Sequence, residues 1–573
     1  MRYLTIATAL MMLMSASSAW AKTIYRTSFE NETLAGNVTT EAMAEDPALQ
    51  KEMAGRWRAV AWGVPEATTD ASSIVADPSA PDGKQVVEVH HQINQISAVV
   101  MQLDTKQLVP GRWYRADGKI RTEGLRGQGC HLNLEYWIGG NGSGSVDSEH
   151  LVGDNGWTDA SAVFQAPNSQ YNLNLSFFVL GGPGKAWLDD VRVRQIEKPA
   201  FDQSKRRVLD GSFWGMFTCF PMYLHQYGKD MKEAGVYWQR QGSAALNEHQ
   251  QGLAQQLGMA FEMCLDGTPP ASDREGDEQN LEAGWPGYEK WVAQCLEQAG
   301  PAIRIIEVAN EPNTHVQWTL PGYAELLCRV GKMVKEHKSQ IAFATGGFTS
   351  PQIGYTEACL KRGADKVLDI VLIHPYAVDE ALDSQLFALG DACARAGRPD
   401  LAVAINETGF PTWDPATGHP VNAWFVTEKD QAAKVVKLHV QALAHQCSFV
   451  TYLGWNDFAE PKSDQAMNMG LVRVDGSPKP SWHAYRFMTA TVADRRQVDW
   501  SYADNGARVY RLAGEKPLWI CWNALRESDV TIDTGDVQVF PCDIYGVKQT
   551  VEPVAGKVTV KAADEPIYLV PVP

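Results

Sequence analysis

Glu311 and Glu407 lie 96 positions apart, and each closes a short apolar run. Ile303-Arg304-Ile305-Ile306-Glu307-Val308-Ala309 leads into Asn310-Glu311-Pro312-Asn313, and Leu401-Ala402-Val403-Ala404-Ile405-Asn406 leads into Glu407-Thr408-Gly409. Runs of this kind read as buried strands. Pro312 biases Glu311 toward an extended backbone and ends the first strand. A carboxyl at the mouth of a buried strand sits between apolar core and cleft, where burial holds it protonated near neutral pH. A second carboxyl that stays ionised completes the acid and nucleophile pair that glycoside cleavage requires.

Two such groups meet only if a scaffold brings both strand ends to one face. From 208 to 496 strand patterns alternate with helical ones. The strands are expected at 212–219, 235–242, 258–266, 303–311, 341–347, 368–374, 401–408 and 449–456. Eight β/α units in that length suit a closed (β/α)8 barrel, whose C-terminal strand ends carry the chemistry. An open doubly wound sheet fits less well, because polar residues end many strands and not only those at one switch point. The strand ends supply Arg240, Asp266, Asn310 with Glu311, His374 with Tyr376, Glu407, and Trp455 with Asn456.

Residues 22–197 show short alternating strands between Gly, Pro, Asn and Asp turns, with one helical pattern near 40–55, which describes a β-sandwich. Residues 198–207, basic and holding Pro199, read as a linker. From 497 to 573 the helical patterns vanish, and short strands describe a small C-terminal β-sandwich packed on the barrel.

The barrel resembles the clan of (β/α)8 retaining glycoside hydrolases with catalytic glutamates after strands 4 and 7. Asn310-Glu311-Pro312-Asn313, Glu407-Thr408-Gly409, His374-Pro375-Tyr376 and Trp455 carry the likeness, over about 211–496. The Asn-Glu-Pro-Asn form and the segment from Gly470-Leu471 to Lys479-Pro480 look most like family 39, with families 5 and 30 as close alternatives. Ala309 departs from the bulky residue common before Asn-Glu in family 39. The resemblance implies Glu311 as general acid/base and Glu407 as nucleophile, their carboxyls about 5–5.5 Å apart. It implies Arg240 and Tyr376 beside Glu407, Asn310 on the sugar 2-hydroxyl, and Trp455 as the floor under the reacting sugar. His374 and Asp266 complete the substrate-binding set; His374 as a satisfied core histidine is the competing reading. Trp285, Trp318, Trp413 and His315 either line subsites or pack loops.

In the N-terminal domain, Thr27-Ser28-Phe29-Glu30, Pro110-Gly111-Arg112-Trp113-Tyr114, Gly156-Trp157-Thr158-Asp159 and Ala186-Trp187-Leu188-Asp189-Asp190-Val191-Arg192-Val193 look like the jelly-roll carbohydrate-binding-module fold. That resemblance implies either a structural calcium on Glu30 and Asp189 or plain turn carboxylates there. Trp57, Trp62 and Trp137 are either a sugar platform or sandwich core.

The chain has 573 residues, 45% hydrophobic and 21% charged, which suits a soluble protein of two to four domains. A formal net charge of −17 disfavours nucleic acid and anionic membrane as partners. Arg2, an apolar stretch over 4–14 and Ala19-Trp20-Ala21 read as a signal peptide over 1–21, so a secreted or periplasmic protein without a membrane anchor is expected. The ten cysteines are scattered and read as buried thiols, with Cys521 and Cys542 an open question. No zinc-type spacing occurs, and no cofactor is expected for catalysis. The expected partner is a poly- or oligosaccharide. The alternatives to a β-glycan hydrolase are a transglycosidase using the same residues and an inactive carbohydrate-binding protein.

Overall fold

The computed structural model describes residues 22–36, 46–53, 55–62, 72–91, 96–138, 141–167, 171–219, 223–241, 248–266, 278–314, 318–376, 379–412, 425–457, 468–549, 554 and 556–572. The expected signal peptide, Trp413, His315 and the side chain of Trp62 lie outside the described residues. The chain divides into two compact units. One holds the residues up to Glu135 with Val146–Pro167 and Asn172–Phe201; the other holds Tyr136–Ser145, Asn168–Tyr171 and everything from Asp202.

The second unit contains the barrel. Its strands are β1 (Trp214–Cys219), β2 (Trp238–Gln241), β3 (Ala260–Leu265), β4 (Ile303–Val308), β5 (Ala342–Ala344), β6 (Ile370–His374), β7 (Ala402–Ile405) and β8 (Val450–Leu453). Each pairs in parallel with the next, β8 pairs with β1, and Ala344 against Ile370 joins β5 to β6, so the sheet closes. That closure excludes the open doubly wound sheet. Helices α1 (Tyr223–Glu233), α2 (Glu248–Leu257), α3 (Glu278–Gln298), α4 (Leu320–His337), α5 (Ile353–Lys361), α6 (Asp379–Arg395), α7 (Glu428–Ala444) and α8 (Pro480–Val492) alternate with the strands.

Local signals set the helix starts. Thr319 accepts from the Gly322 N–H ahead of α4, and Thr427 accepts from the Asp430 N–H ahead of α7. Alternate strand residues fill the barrel: Trp238, Ala260, Ile305, Ala344, Ile370, Leu372, Ala402, Ala404 and Phe449 form one buried cluster. Hydrocarbon layers of this kind make the barrel a packed core that holds its upper rim rigid.

Two further sheets complete this unit. Val498–Tyr502, Arg508–Leu512, Leu518–Trp522, Ile567–Pro571 and Val539–Cys542 pair in that order, and Ser528–Asp533 pairs with Lys557–Ala562. Trp519, Cys521, Val530, Ile532, Val558 and Leu569 share their core. Cys521 and Cys542 are both free, so they do not pair. Arg508 donates to Asp383 of α6 at 2.6 Å, and His445 contacts the same carboxylate at 2.9 Å. Burial works against that charge, but Arg508 and His445 hold the Asp383 carboxyl below its usual range. The segment read as a linker is in part docked. Arg206 is buried and donates to the His445 carbonyl at 2.6 Å.

The first unit is built on an antiparallel sheet in which Thr23–Thr27, Gln85–His91 and Trp113–Ile138 all pair with Gly184–Ile196. The helical pattern near 40–55 appears as a seven-residue helix, Pro47–Met53. Trp57 is fully buried against Phe29 and donates to the Tyr25 hydroxyl at 2.8 Å, so it is core and not a sugar platform. His131, Asp147 and His150 cluster within 4.8 Å. The two rings stack 3.9 Å apart and 6° from parallel, so their nitrogen lone pairs run side by side and do not converge on one ion.

Candidate active site

Each functional side chain hangs on the C-terminal end of a strand or on the residues just beyond it. Glu311 follows β4. Its backbone is not extended as expected: φ is +47°, and two residues earlier Ala309 has φ +64°. Both lie in the left-handed region that side-chain-bearing residues seldom occupy. The neighbours over-determine the turn. Glu311 N–H donates to the Gly347 carbonyl at 3.0 Å, and Asn313 exchanges hydrogen bonds with the Thr349 backbone at 3.0 and 3.1 Å. Tyr323 donates to the Val308 carbonyl and accepts from the Gly346 N–H. Gly346 and Gly347 are required by close approach: a Cβ on Gly347 would sit 1.9 Å from His374 Nε2, and one on Gly346 2.2 Å from the Ala309 carbonyl oxygen. The small Ala309 leaves the turn packed chiefly by this Gly-Gly segment.

Glu407, just past β7, receives two donors. Arg240 Nη1 donates to its Oε2 at 2.5 Å, and the Tyr376 hydroxyl donates to its Oε1. A cation and a hydroxyl both favour the charged form of a carboxyl. Burial and the Glu407 charge push the Tyr376 phenol well above its usual range, so it remains a donor.

His374, fully buried at the end of β6, places Nδ1 2.9 Å from Glu311 Oε1 and 3.9 Å from Glu407 Oε2. Glu311, His374 and Glu407 each offer an atom within 4.8 Å of the others. One oxygen of each carboxylate therefore faces the other across less than 5 Å. Three oxygen and nitrogen ligands this close are also within reach of a cation. Here, however, Nδ1–H, Nη1 and the Tyr376 hydroxyl already aim donors at both carboxylates, which suits two anions and no metal.

The electrostatics depart from expectation at Glu311. Burial pushes its carboxyl upward, but the hydrogen bond and charge of His374 outweigh that and leave it below its usual range. In the free site both glutamates thus have donors that favour the anion.

Asn310 is exposed on the cleft side, and its Oδ1 accepts from Arg240 Nη2 at 2.7 Å. That contact fixes the amide: Oδ1 faces the guanidinium and Nδ2 is left to donate into the cleft. Asp266, past β3, accepts from the Asn310 N–H at 3.3 Å. Trp455 is 2% exposed, so it offers almost no open face and is not the platform expected beneath a sugar. Trp318 is buried beside Tyr323, and Trp285 lies under the Arg329 guanidinium; both pack helices.

Two interior residues were not anticipated. Glu307 on β4 takes Arg240 in a two-pronged grip, Nε at 3.0 Å and Nη2 at 2.9 Å, and accepts from the Gly347 N–H at 2.7 Å. Glu262 on β3 accepts from Asn406 Nδ2 at 2.6 Å. The available signal was a lone acid inside each of two apolar strands, Ala260–Leu265 and Ile303–Val308. A buried charge without a purpose is rare.

In the first unit, Glu30 spends Oε1 on the N–H groups of Lys84 and Gln85, at 2.5 and 2.7 Å. Asp189 is fully buried; Oδ2 accepts from the Asp82 N–H at 2.9 Å, and Oδ1 has no hydrogen-bond partner among the described residues. An orphaned hard oxygen fits a calcium ligand, whereas Glu30 is largely committed to backbone.

No family model matches the sequence, and no curated protein is similar to it. Among solved structures, a family 39 glycoside hydrolase from the gut symbiont Bacteroides cellulosilyticus WH2 is similar at 15% identity and a TM-score of 0.50, covering 79% of this chain and 98% of that one. A GH39 β-xylosidase from Caulobacter crescentus is similar at 12% identity and a TM-score of 0.43, covering 64% of this chain and 98% of that one. At such identities the likeness is one of fold, and the chain shares the multidomain (β/α)8 architecture of the Bacteroides glycoside hydrolase.

Proposed function

We propose that the protein is an exported retaining glycosidase that cleaves β-linked oligo- or polysaccharides through a covalent glycosyl-enzyme. The observation that carries this reading is the facing of Glu311 and Glu407 oxygens within 4.8 Å at one rim of the barrel. Retaining pairs sit about 5–5.5 Å apart, whereas inverting pairs leave about 6.5–9.5 Å for a water. Glu407 attacks the anomeric carbon as its glycosidic bond to the leaving oxygen breaks. Arg240 and Tyr376 hold the nucleophile in place by donating to its two oxygens. Glu311 gives its proton to the leaving oxygen, then takes one from the water that releases the sugar. Asn310 Nδ2 donates to the sugar 2-hydroxyl, a contact that strengthens in the oxocarbenium-like transition state. None of these steps calls on a metal.

The test is turnover of a panel of aryl β-glycosides with product-anomer assignment by NMR, with Glu407→Ala as the control. Retention of configuration, lost with the control, supports the reading; net inversion overturns it. Sugar transfer to an added acceptor in preference to water would mark the transglycosidase, and tight binding without turnover the inactive binder.

A further inference from the structure

Below the two reacting carboxylates the barrel interior holds a third and a fourth. Glu262 is 1% exposed, Glu307 is fully buried, and both surround Arg240, itself 3% exposed. Arg240 spends Nε and Nη2 on Glu307, Nη2 also on Asn310, and Nη1 on Glu407; Glu262 Oε1 is 3.5 Å from Nε. If every acid were ionised, three carboxylates would share one guanidinium in a water-poor interior. Two like charges that close cannot both persist there.

The hydrogen bonding shows which acid is neutral. Glu307 already has donors on both oxygens: Arg240 and the Gly347 N–H on Oε1, and Arg240 on Oε2. Glu262 has the pattern of an undissociated acid. Oε1 accepts from Asn406 Nδ2, as a carbonyl oxygen does, while Oε2 is buried and meets no donor among the described residues. Glu262 Oε1 and Glu307 Oε2 nonetheless flank the same Arg240 nitrogen, at 3.5 and 3.0 Å, so the two carboxyls adjoin and act on each other as hydrogen-bond partners do. An acceptor facing an acceptor needs a proton between them.

We propose that Glu262 is a neutral carboxylic acid in the resting protein. Its Oε2–H donates to the Glu307 carboxylate, and this bond fixes the Glu307–Arg240 fork that aims Nη1 at Glu407. Glu262 is then a positioning residue that never touches the sugar. It acts through Glu307 on β4 and Arg240 on β2, and Asn406 on β7 orients it. The other titratable groups around this cluster are Cys264 and Asp266 on or beyond its own strand, His374 on β6 and Glu407 beyond β7. Burial and the adjoining Glu307 push Glu262 far above the usual carboxyl range. Burial pushes Glu307 the same way, but Arg240 and the bond from Glu262 hold it down at about 2. The two directions agree with one proton resident on Glu262.

The assignment to Arg240 and Glu407 rests on the glycosidase reading, but the proton itself does not, so the two are tested apart. In the full-length protein, Glu262→Gln keeps a neutral donor toward Glu307 and a carbonyl toward Asn406. It is expected to hold kcat/KM within about twofold of wild type, with both pH limbs in place and a melting temperature no lower at neutral pH. Glu262→Met removes the donor. It is expected to lower kcat by about tenfold or more with little change in KM, and to move the acid limb of kcat/KM upward as Arg240 loosens from Glu407. A Glu262→Gln variant as impaired as Glu262→Met, or one that melts well below wild type, would show that an ionised carboxylate is needed and overturn the proposal. Should Glu262→Met fail to fold, isotope-edited infrared difference spectra between wild type and Glu262→Gln decide the matter. A protonated carboxylic C=O band at neutral pH is expected, and its absence overturns the assignment. The spectra and melting curves need no substrate, so a protein inactive on every glycoside would sink the function while leaving the proton on Glu262 testable.

Discussion

Replacing His374 by leucine isolates the group that sets the acid's strength. Nδ1 lies 2.9 Å from Glu311 Oε1, and the ring is fully buried. Burial of Glu311 favours its protonated form; the bond and charge of His374 favour the anion and prevail. Hydrogen bonds to charged groups contribute about 1.5–3 kcal/mol, and one pKa unit corresponds to about 1.36 kcal/mol. The Glu311 side chain is 24% exposed, and solvent screening brings the figure to the lower end. The expected outcome is an alkaline limb of kcat/KM on an aryl β-glycoside displaced upward by about one pH unit. The sign follows from the anion losing its donor while burial still penalises charge. Linkage gives a second readout. A depressed Glu311 pKa contributes stability above the ordinary glutamate value of about 4.3, which is lost as pH falls through the folded-state value. The leucine variant should therefore show a flatter dependence of melting temperature on pH in that acidic window. An alkaline limb that stays put or moves down would refute the assignment of His374 as the group holding Glu311 low.

Gly347→Ala should lower kcat by about 10²-fold, because its Cβ would sit 1.9 Å from His374 Nε2 and the ring carries Glu311; steady-state kinetics with a melting curve checks this. Lys479 and Asp457 form a buried ion pair at 2.8 Å, so Lys479→Met alone should cost about 3–5 kcal/mol in denaturant melts. Lys479→Met with Asp457→Leu should recover more than half of that loss, since no unpaired charge is left. In the N-terminal sandwich, burial and the adjoining Asp190 and Asp82 push the Asp189 carboxyl up to about 6 when no cation is bound. With EDTA present, stability should then fall as pH rises from about 4 toward 6, because the folded state holds the extra proton there. Added calcium should abolish that slope and raise the melting temperature without changing turnover; loss of turnover restored only by a divalent ion would contradict the metal-free mechanism.

The barrel was legible because its strands are short apolar runs, most of which end in a polar residue, and that punctuation survives without any contact information. Arg240, Asn310, Glu311, His374, Tyr376 and Glu407 all end such runs, and the structure gathers them. The left-handed turn at Glu311 was not legible, because Pro312 argues for extended backbone and the strained form is held by Gly346, Gly347, Tyr323 and the bond of Asn313 to Thr349, all of which bring in residues from farther along the chain. Glu262 and Glu307 sat in plain view within apolar strands, yet their meaning depends on register: Arg240 lies opposite Glu262, and Cys264 lies opposite Glu307. Only the closed barrel turns those neighbours toward one guanidinium. Trp455 shows the reverse error. A tryptophan at a strand end has the composition of a sugar floor, but exposure decides that role, and no sequence pattern reports exposure.

The depressed Glu311 carboxyl also bears on how a general acid works in this cleft. Burial is the largest single influence on it, and it acts upward. The opposing bond from His374 is already 2.9 Å long and gains little by tightening. A sugar laid over the cleft removes water from Glu311; this raises the cost of the anion and also strengthens its attraction to His374, and burial, already the largest influence, is expected to gain more. On the proposed glycosidase reading, the substrate's arrival is what loads the acid with its proton. The alkaline limb of kcat, which reports the bound complex, should lie above that of kcat/KM, which reports the free enzyme. In His374→Leu the opposing attraction is gone, so both limbs should rise and the gap between them should be at least as wide as in wild type. A pair of limbs that coincide in wild type, or a gap that closes in the variant, would mean that the substrate does not govern the Glu311 proton.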